Sequence, residues 1–215
     1  MKTESNNKDK LFVSGSNSPK IFDNKVLEVI TSTNHIVPFI FFIPVILYFL
    51  SETIYFIVCG KINQPLWLIP ICISAVILWS IIEYAGHRFV FHYNAKSNFG
   101  KKILYIIHWA HHDYPNDTKR VVVPPLMSII GGIFLYLMSY GLFGKYYASP
   151  FFCILVICYM TYDWFHYASH HLDFKNKYFQ MIKKHHLLHH YKDPDNGFGF
   201  ITTIWDHILK TTFKK

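Results

Sequence analysis

Residues 162–190 read YDWFHYASHHLDFKNKYFQMIKKHHLLHH, and seven of these residues are histidine. Residues four apart on a helix share one face, with Cβ atoms about 5–6 Å apart, so His166 and His170 can approach a common point. Neutral imidazole is the commonest metal-binding side chain, and two histidines one helical turn apart often present it. A second group with helical spacing ends the segment and is also expected to converge on one point: His186, His189 and His190.

The composition is typical of a membrane protein. Of the 215 residues, 52% are hydrophobic and 16% are charged, and several apolar runs approach or reach the roughly 20 residues that span a bilayer. The net charge of +8 would suit nucleic acid, but the lysines and arginines lie along the flanks of the apolar runs and form no compact basic domain. We therefore predict a polytopic membrane protein and no nucleic-acid partner.

The chain is predicted to hold one domain behind a short tail. Residues 1–20 are polar and predict a disordered tail, and residues 21–215 form a single membrane domain. The pattern over residues 21–30 suggests a short amphipathic helix on the membrane surface. The first apolar run begins only near Ile36, which argues against a cleaved signal peptide. None of the cysteines forms a C-x-x-C pair, and we expect small core residues at each: Cys59, Cys72, Cys153 and Cys158.

Four uncharged runs predict the membrane architecture. They give transmembrane helices at about residues 36–58, 66–83, 122–143 and 146–165. The second and fourth helices are followed by polar, histidine-bearing segments, residues 84–120 and 166–215. The loops within the two helix pairs carry one lysine each, Lys61 and Lys145, and all other basic residues fall on the opposite face. Because cytoplasmic segments carry the excess of Lys and Arg, both histidine-bearing segments are predicted to be cytosolic.

Ten of the fourteen histidines fall into four spaced groups. These are His87 and His92; His108, His111 and His112; His166 and His170; and His186, His189 and His190. A structural metal site takes about four ligands and a catalytic site keeps one position open, so ten imidazoles predict two ions with about five nitrogens each. Nitrogen donors suit iron, zinc or copper, and the residues alone leave that choice open. The predicted fold is an all-α integral membrane protein, in which two helical hairpins carry a cytosolic helical cap with a dinuclear histidine site.

Other polar residues near these groups have weaker patterns. Asp163, with Tyr162 beside it, is a candidate for orienting a ligand or the substrate, because metal-bound histidines commonly donate their second N–H to a carboxylate. We expect a structural role for Glu83 at a helix end and for the turn at residues 193–199. Arg120 either marks the membrane interface or binds a lipid headgroup. The remaining histidines break the spacing and are predicted not to be ligands: His35, His171, His185 and His207.

Together with their flanks, the four groups resemble the fatty acid 2-hydroxylase branch of the fatty acid hydroxylase and sterol desaturase superfamily. The flanks that carry this resemblance are His111-His112-Asp113-Tyr114-Pro115, Arg120-Val121-Val122-Val123-Pro124-Pro125, Tyr162-Asp163, His189-His190-Tyr191, Gly197-Phe198-Gly199-Phe200 and Trp205-Asp206. The resemblance covers the chain from about residue 20 to its end. It implies a membrane monooxygenase with a dinuclear metal site that hydroxylates carbon 2 of long acyl chains, commonly in a ceramide or related sphingolipid.

The resemblance also implies the ligands, cofactors and partners. The ten spaced histidines would be the ligands, with iron expected for activity and zinc possible in purified protein. In the family, O2 is the cosubstrate, and electrons come through cytochrome b5 from an NAD(P)H-dependent reductase. Many members carry a fused cytochrome b5 domain, for which residues 1–20 are too short, so we expect the form without it and a separate donor. The location would be the endoplasmic reticulum of a eukaryote or the cytoplasmic membrane of a bacterium.

Two kinds of alternative remain open from the sequence. Within the superfamily, a lipid desaturase, a sterol-methyl oxidase or a carotenoid hydroxylase shares the histidine arrangement and differs in its flanks. Outside it, a histidine-rich metal transporter would place its ligands within the membrane spans along a pathway. Here the groups follow the predicted spans in sequence, which favours the enzyme.

Overall fold

The computed structural model describes residues 20–214, and throughout this range the regular structure is helical, with no strand. The predicted tail lies outside the described residues except for Lys20. The α-helices of the described part are, in chain order, α1 (Lys25–Thr31), α2 (Val37–Val58), α3 (Leu68–Ala85), α4 (Asn98–Leu104), α5 (Ala110–Asp113), α6 (Pro125–His171), α7 (Lys177–Tyr191) and α8 (Ile204–Ile208). A 3-10 turn (Pro65–Trp67) precedes α3, and two π-helices follow α3 and α4: Gly86–Phe91 and Tyr105–Trp109.

The chain folds as two compact units. One contains the described residues up to His35, then Glu83–Pro124 and the residues from Asp163 onward, and it carries all of the spaced histidines. The other contains Ile36–Ile82 and Pro125–Tyr162 and holds most of the apolar runs. The prediction of a single domain over residues 21–215 stays a prediction.

Within the described residues, three helices are long and apolar enough to cross a membrane: Val37–Val58, Pro65–Phe91 and Pro125–His171. Many apolar side chains on these helices are exposed, among them Ile40, Leu47 and Ile73. An outer surface of this kind requires an apolar surrounding, because exposed apolar area in water costs about 25 cal/mol per Å². The protein is therefore an integral membrane protein.

The third of these helices, α6, is broken at Gly144. Its 47 residues would extend about 70 Å as one straight helix, more than twice the roughly 30 Å hydrocarbon core. Gly144 has φ 65° and ψ 179°, which is not helical. The arms on either side pack antiparallel, since Ser128 Oγ lies 2.8 Å from Tyr159 OH, and the rings of Phe143 and Phe151 lie 4.5 Å apart. The arms cover residues 125–143 and 145–171.

The second arm of α6 is central to the membrane-helix unit. Phe151 and Leu155 on one side of it are buried in a cluster with residues of α3: Ile71, Ala75 and Trp79. On the other side, Phe152 and Val156 are buried with Phe42 of α2. The acid within α2, Glu52, accepts a hydrogen bond of 2.5 Å from Ser149 Oγ. This hydrogen bond lowers the cost of placing a carboxyl group in an apolar helix.

The α1 segment of the histidine-bearing unit is held by a buried ion pair. Asn24 caps α1 by accepting from the backbone N–H groups of Val26 and Leu27. Glu28 on α1 bonds the Arg120 guanidinium, which also lies 3.5 Å from Asp117, and the Arg120 side chain is only 3% exposed. Arg120 therefore neither marks an interface nor meets a headgroup, because burial keeps it inside the protein.

We expect Gly144→Ala to destabilise the protein. Only glycine adopts the φ and ψ of residue 144 without strain, and another residue there should cost about 1–3 kcal/mol. Gly141→Ala is the matched control, because residue 141 is helical and an added Cβ meets no atom within 4 Å. Thermal unfolding in detergent should show a lower midpoint for the first variant and an equal or higher one for the second. Equal midpoints for Gly144→Ala and wild type would contradict the role of the break.

Candidate metal centre

The ten spaced histidines form two groups of five, and each group could hold a metal ion. The first group consists of His87, His92, His108, His112 and His189. The second consists of His111, His166, His170, His186 and His190. In each group, the candidate ligand nitrogens all lie within 4.8 Å of one another. The structure thus brings together every residue that the spacing singled out, in the five-and-five division expected for two ions.

Each H-x-x-H-H segment is shared between the two groups. His108 and His112 belong to the first group and His111 to the second, whereas His186 and His190 belong to the second and His189 to the first. The expectation that the last three histidines converge on one point is therefore wrong. Successive helical residues are about 100° apart, so adjacent histidines face different directions while residues four apart share a face.

A π-helix brings His87 and His92 into the same group. Residues five apart on an α-helix point about 140° away from each other. Here the backbone N–H of His92 donates to the carbonyl of His87 at 3.1 Å, the i→i+5 bond of a π-helix. This wider turn lets both rings reach His108, whose Nε2 is 3.1 Å from each of their Nε2 atoms.

The contacts between imidazole nitrogens fit a bound cation. His108 Nε2 lies 3.1 Å from His87 Nε2, 3.1 Å from His92 Nε2 and 2.9 Å from His112 Nε2. A ring nitrogen of a neutral imidazole offers one N–H or one lone pair, so His108 Nε2 can hydrogen-bond only one of these neighbours. The other contacts bring lone pairs together, and a cation among them would turn this repulsion into binding.

The spacing of the nitrogens also indicates the coordination geometry. With metal–nitrogen bonds of about 2.0–2.1 Å, two ligand nitrogens are about 3.4 Å apart at the tetrahedral angle and about 3.0 Å apart at a right angle. In the second group, the Nε2 atoms of His166 and His111 are 2.9 Å apart, and those of His170 and His186 are 2.8 Å apart. These two distances are closer to the right-angle value than to the tetrahedral one.

Burial keeps the imidazoles in their neutral, metal-binding form. Burial first, and then the neighbouring His189, lowers the pKa of His92 to about 3. Burial likewise lowers the pKa of His189 to about 4. Burial and repulsion from neighbouring imidazoles lower the pKa values of five others well below the usual range: His108, His111, His112, His186 and His190. At neutral pH these side chains therefore offer lone pairs to a cation.

Two histidines of the first group are oriented by backbone carbonyls. His87 Nδ1 lies 2.7 Å from the carbonyl oxygen of Phe198, and His189 Nδ1 lies 2.8 Å from that of Asn196. A carbonyl only accepts, so each Nδ1 carries the proton and donates it. The Nε2 lone pairs are thereby left for the centre of the group. Hydrogen bonds of this kind fix the tautomer and ring orientation of a metal ligand.

Two buried carboxylates hold the loop that supplies these carbonyls. Asp206 accepts from the backbone N–H groups of Phe198 at 2.9 Å and Gly199 at 2.8 Å. Glu83 accepts from those of Phe200 and Ile201, both at 2.8 Å. Each carboxylate therefore fixes two consecutive peptide groups of the loop. Asp206 was not identified as a functional residue from the sequence. The one signal in the sequence was its place after Trp205 in a motif that flanks the histidine groups.

Two glycines allow the loop to approach its neighbours. Gly197 has φ 72°, and an added Cβ would lie 2.1 Å from the Phe213 ring. A Cβ on Gly199 would lie 2.3 Å from the Thr202 carbonyl oxygen and 2.7 Å from Asp206 Oδ2. The turn predicted as scaffold therefore positions the carbonyls that face His87 and His189.

The other predicted residues lie outside the two groups. His185 Nε2 is 3.2 Å from Asp206 Oδ2, His35 stacks on Tyr167 at 3.8 Å, His171 packs against the same tyrosine, and His207 is exposed. Asp163 is buried near the backbone of Val123, and neither of its carboxylate oxygens makes a hydrogen bond of normal geometry. Tyr162 belongs to the membrane-helix unit, where it contacts Trp79. The roles suggested for Tyr162 and Asp163 stay predictions.

Comparisons with known proteins point to one family. The sequence profile of the fatty acid hydroxylase family matches residues 72–211. The chain is 30% identical to the dihydroceramide fatty acyl 2-hydroxylase FAH1 of Arabidopsis thaliana, over 90% of this chain and 79% of that protein. It is 31% identical to the ceramide very long chain fatty acid hydroxylase SCS7 of Saccharomyces cerevisiae, over 92% of this chain and 50% of that protein. The chain thus spans only about half the length of the yeast relative.

A solved structure shows the same fold. It is described as full-length scs7p with only the hydroxylase domain visible, and it matches with a TM-score of 0.79 and 31% sequence identity. The match covers 90% of this chain and 71% of that chain. The arrangement of helices around the histidines is therefore similar to one already observed in a hydroxylase domain.

We expect Asp206→Asn to weaken metal binding. The NH2 group of the asparagine would face a backbone N–H group that now donates to the carboxylate, and two donors cannot hydrogen-bond each other. The loop would therefore shift and move its carbonyls away from His87 and His189. Losses of supporting hydrogen bonds of this kind typically cost about 10–100-fold in metal affinity. Asp195→Asn is the control, because Asp195 is exposed on the same segment. Metal retained per chain at increasing chelator concentration measures the effect, and equal retention in both variants would refute it.

Proposed function

The chain belongs to the fatty acid hydroxylase family, and from this we propose that it is a membrane-bound fatty acid 2-hydroxylase. It is an oxidoreductase that adds a hydroxyl group to carbon 2 of a long-chain acyl group. The observation that supports this most strongly is the convergence of ten histidines into two five-nitrogen groups within the matched region. The plant and yeast relatives are named for dihydroceramide and ceramide acyl chains, so we propose the N-acyl chain of a ceramide or related sphingolipid as the substrate.

The two histidine groups are proposed to hold two metal ions. The first ion would be bound by His87, His92, His108, His112 and His189, and the second by His111, His166, His170, His186 and His190. We propose iron for activity, with zinc as an alternative occupant during purification, because nitrogen-rich sites accept both. Bound iron supplies the activation of dioxygen that hydroxylation of a saturated carbon requires. Five candidate nitrogens in each group exceed the four ligands of a closed structural site, and this supports a catalytic rather than a purely structural role for the ions.

The protein groups prepare the site before any substrate arrives. Buried neutral imidazoles present lone pairs without first losing a proton, and the carbonyls of Asn196 and Phe198 fix two of them in one orientation. This rigidity matters because hydroxylation at one particular carbon demands positioning within about 1 Å, and a misplacement of that size can cost roughly a hundredfold in rate. Asp163 and Tyr162 are proposed to position the substrate or a ligand. Their places on the same helix as His166, three and four residues before it, support this role.

The proposed membrane arrangement has four spans in two hairpins. The break at Gly144 divides α6 into two antiparallel arms, and each arm is long enough to account for one span. With Lys61 and Lys145 in the loops on the outer side, the histidine-bearing segments lie on the cytosolic side. The membrane would be the endoplasmic reticulum in a eukaryote or the cytoplasmic membrane in a bacterium. The electrons are proposed to come from a cytochrome b5-type carrier and an NAD(P)H-dependent reductase.

Expression in a host without 2-hydroxylated lipids tests the reaction. We expect new ceramides heavier by one oxygen atom, with the hydroxyl group on carbon 2 of the acyl chain by fragmentation in the mass spectrometer. A desaturase would instead yield products lighter by two hydrogen atoms. A sterol-methyl oxidase or carotenoid hydroxylase would leave the ceramides unchanged, and either outcome would contradict the proposal.

Single ligand substitutions test the assignment of the histidines. We expect His112→Ala and His189→Ala to abolish 2-hydroxylated lipid, since each removes one nitrogen from the first group. His207→Ala is the matched control, because His207 is exposed and outside both groups, and it should keep wild-type activity. All three variants should be recovered in the membrane fraction at similar levels. Full activity in both ligand variants would show that these histidines do not bind the working metal.

A further inference from the structure

A groove of about 540 Å³ lies along α7, on residues that take no part in the histidine groups. Its lining combines apolar and cationic side chains. The apolar part includes Leu187, Leu188 and Tyr191, and the cationic part consists of Lys183, Lys184 and Lys192. Protein–protein interfaces likewise combine apolar and polar side chains.

The charge of the groove is positive. Among the described residues that line it, Asp173 is the one acid, and its Oδ1 accepts from Lys183 Nζ at 2.9 Å. That ion pair leaves Lys184 and Lys192, both exposed, to present positive charge at the groove. The surface is therefore complementary to an acidic partner, which it would attract over about one Debye length.

The groove is connected to the second histidine group by one aromatic contact. Tyr191 lines the groove and is 49% exposed, and its ring centroid lies 6.2 Å from that of His190. The same helix carries His186 and His189, and both of these side chains are buried. A molecule bound in the groove would thus lie within about one helix diameter, roughly 10 Å, of the candidate metal ligands.

We propose that this groove is the docking surface for an acidic protein that carries one electron at a time, and that electrons enter through Tyr191 and His190. The inference rests on the proposed hydroxylation. One atom of O2 enters the C–H bond to give the alcohol, and the other leaves as water after taking up two electrons and two protons. The carrier is oxidised twice per turnover, so it must dock, release and dock again.

Repeated docking and release requires a weak, short-lived complex. Redox partners form weak complexes with small interfaces, below about 1,200 Å² in total, and charge complementarity mainly raises their rate of association. An anionic lipid surface could also bind the lysines. Lipid binding, however, would not use the aromatic contact between Tyr191 and the candidate ligand His190. The path from Tyr191 to His190 therefore favours a protein that delivers electrons.

Charge reversal in the groove tests the docking surface. The full chain is reconstituted in phosphatidylcholine nanodiscs with ceramide, the soluble haem domain of cytochrome b5 and its NADH-dependent reductase. For Lys184→Glu/Lys192→Glu we expect the KM for the haem domain to rise about tenfold at low salt, with the rate at saturation unchanged. The difference should shrink as salt is added, since exposed charges are screened. With a small chemical mediator as electron donor, the variant should match wild type.

The matched control is Lys101→Glu/Lys102→Glu, which makes the same change of charge at exposed residues outside the groove. Its KM should stay at the wild-type value. Three outcomes would overturn the proposal. They are an unchanged KM in the groove variant, a raised KM in the control variant alone, and a loss of activity in the groove variant that is as large with the mediator as with the haem domain. An effect that appears only with phosphatidylserine in the nanodisc would also overturn it. If wild type forms no 2-hydroxylated lipid even with the mediator, the proposed function itself fails.

Variants of Tyr191 test the route of the electrons. Tyr191→Leu should lower the rate at saturating haem domain, because the side chain stays apolar while the aromatic contact with His190 is lost. Tyr191→Phe keeps the ring and should restore the rate. A wild-type rate in Tyr191→Leu, with metal content unchanged, would show that electrons do not pass through this residue.

Discussion

Ten imidazoles whose lone pairs face one another in a buried space are the constraint on which the histidine-bearing unit depends. His108 Nε2 lies 2.9–3.1 Å from three other ring nitrogens and can hydrogen-bond only one of them, so the remaining contacts between neutral rings are repulsive unless a cation lies among them. Two of these rings, His87 and His189, are held in orientation by backbone carbonyls that accept their Nδ1 protons. Asp206 and Glu83 hold the loop that carries these carbonyls, each as the acceptor of two backbone N–H groups. The geometry of the candidate metal centre thus depends on residues outside the two histidine groups.

The membrane helices follow closely from the sequence, because length and apolar composition are enough to identify a helix that must lie in lipid. The sequence also placed a loop between residues 143 and 146, and the structure has its break there, at Gly144, in a backbone conformation that only glycine adopts easily. The pairing of Glu52 with Ser149 was not predictable, since the two residues are far apart in sequence and no local pattern links them. Whether the helices cross the bilayer four times stays a proposal.

The candidate ligands were also accessible from sequence, because helical spacing reveals which side chains share a face. Their division into groups was not, since the expectation for residues 186–190 neglected the rotation between adjacent residues. The π-helix that joins His87 to His92 has no clear signal in one sequence, as it depends on tertiary contacts. Arg120 was assigned to the membrane surface because a lone arginine gives no sign of its partner. Its ion pair with Glu28 spans most of the first half of the chain.

The sharing of the H-x-x-H-H segments links the two histidine groups through the backbone. One peptide unit joins His111 to His112 and another joins His189 to His190, and in each pair the two rings belong to different groups. Neither of these segments can therefore shift without moving rings of both groups at once.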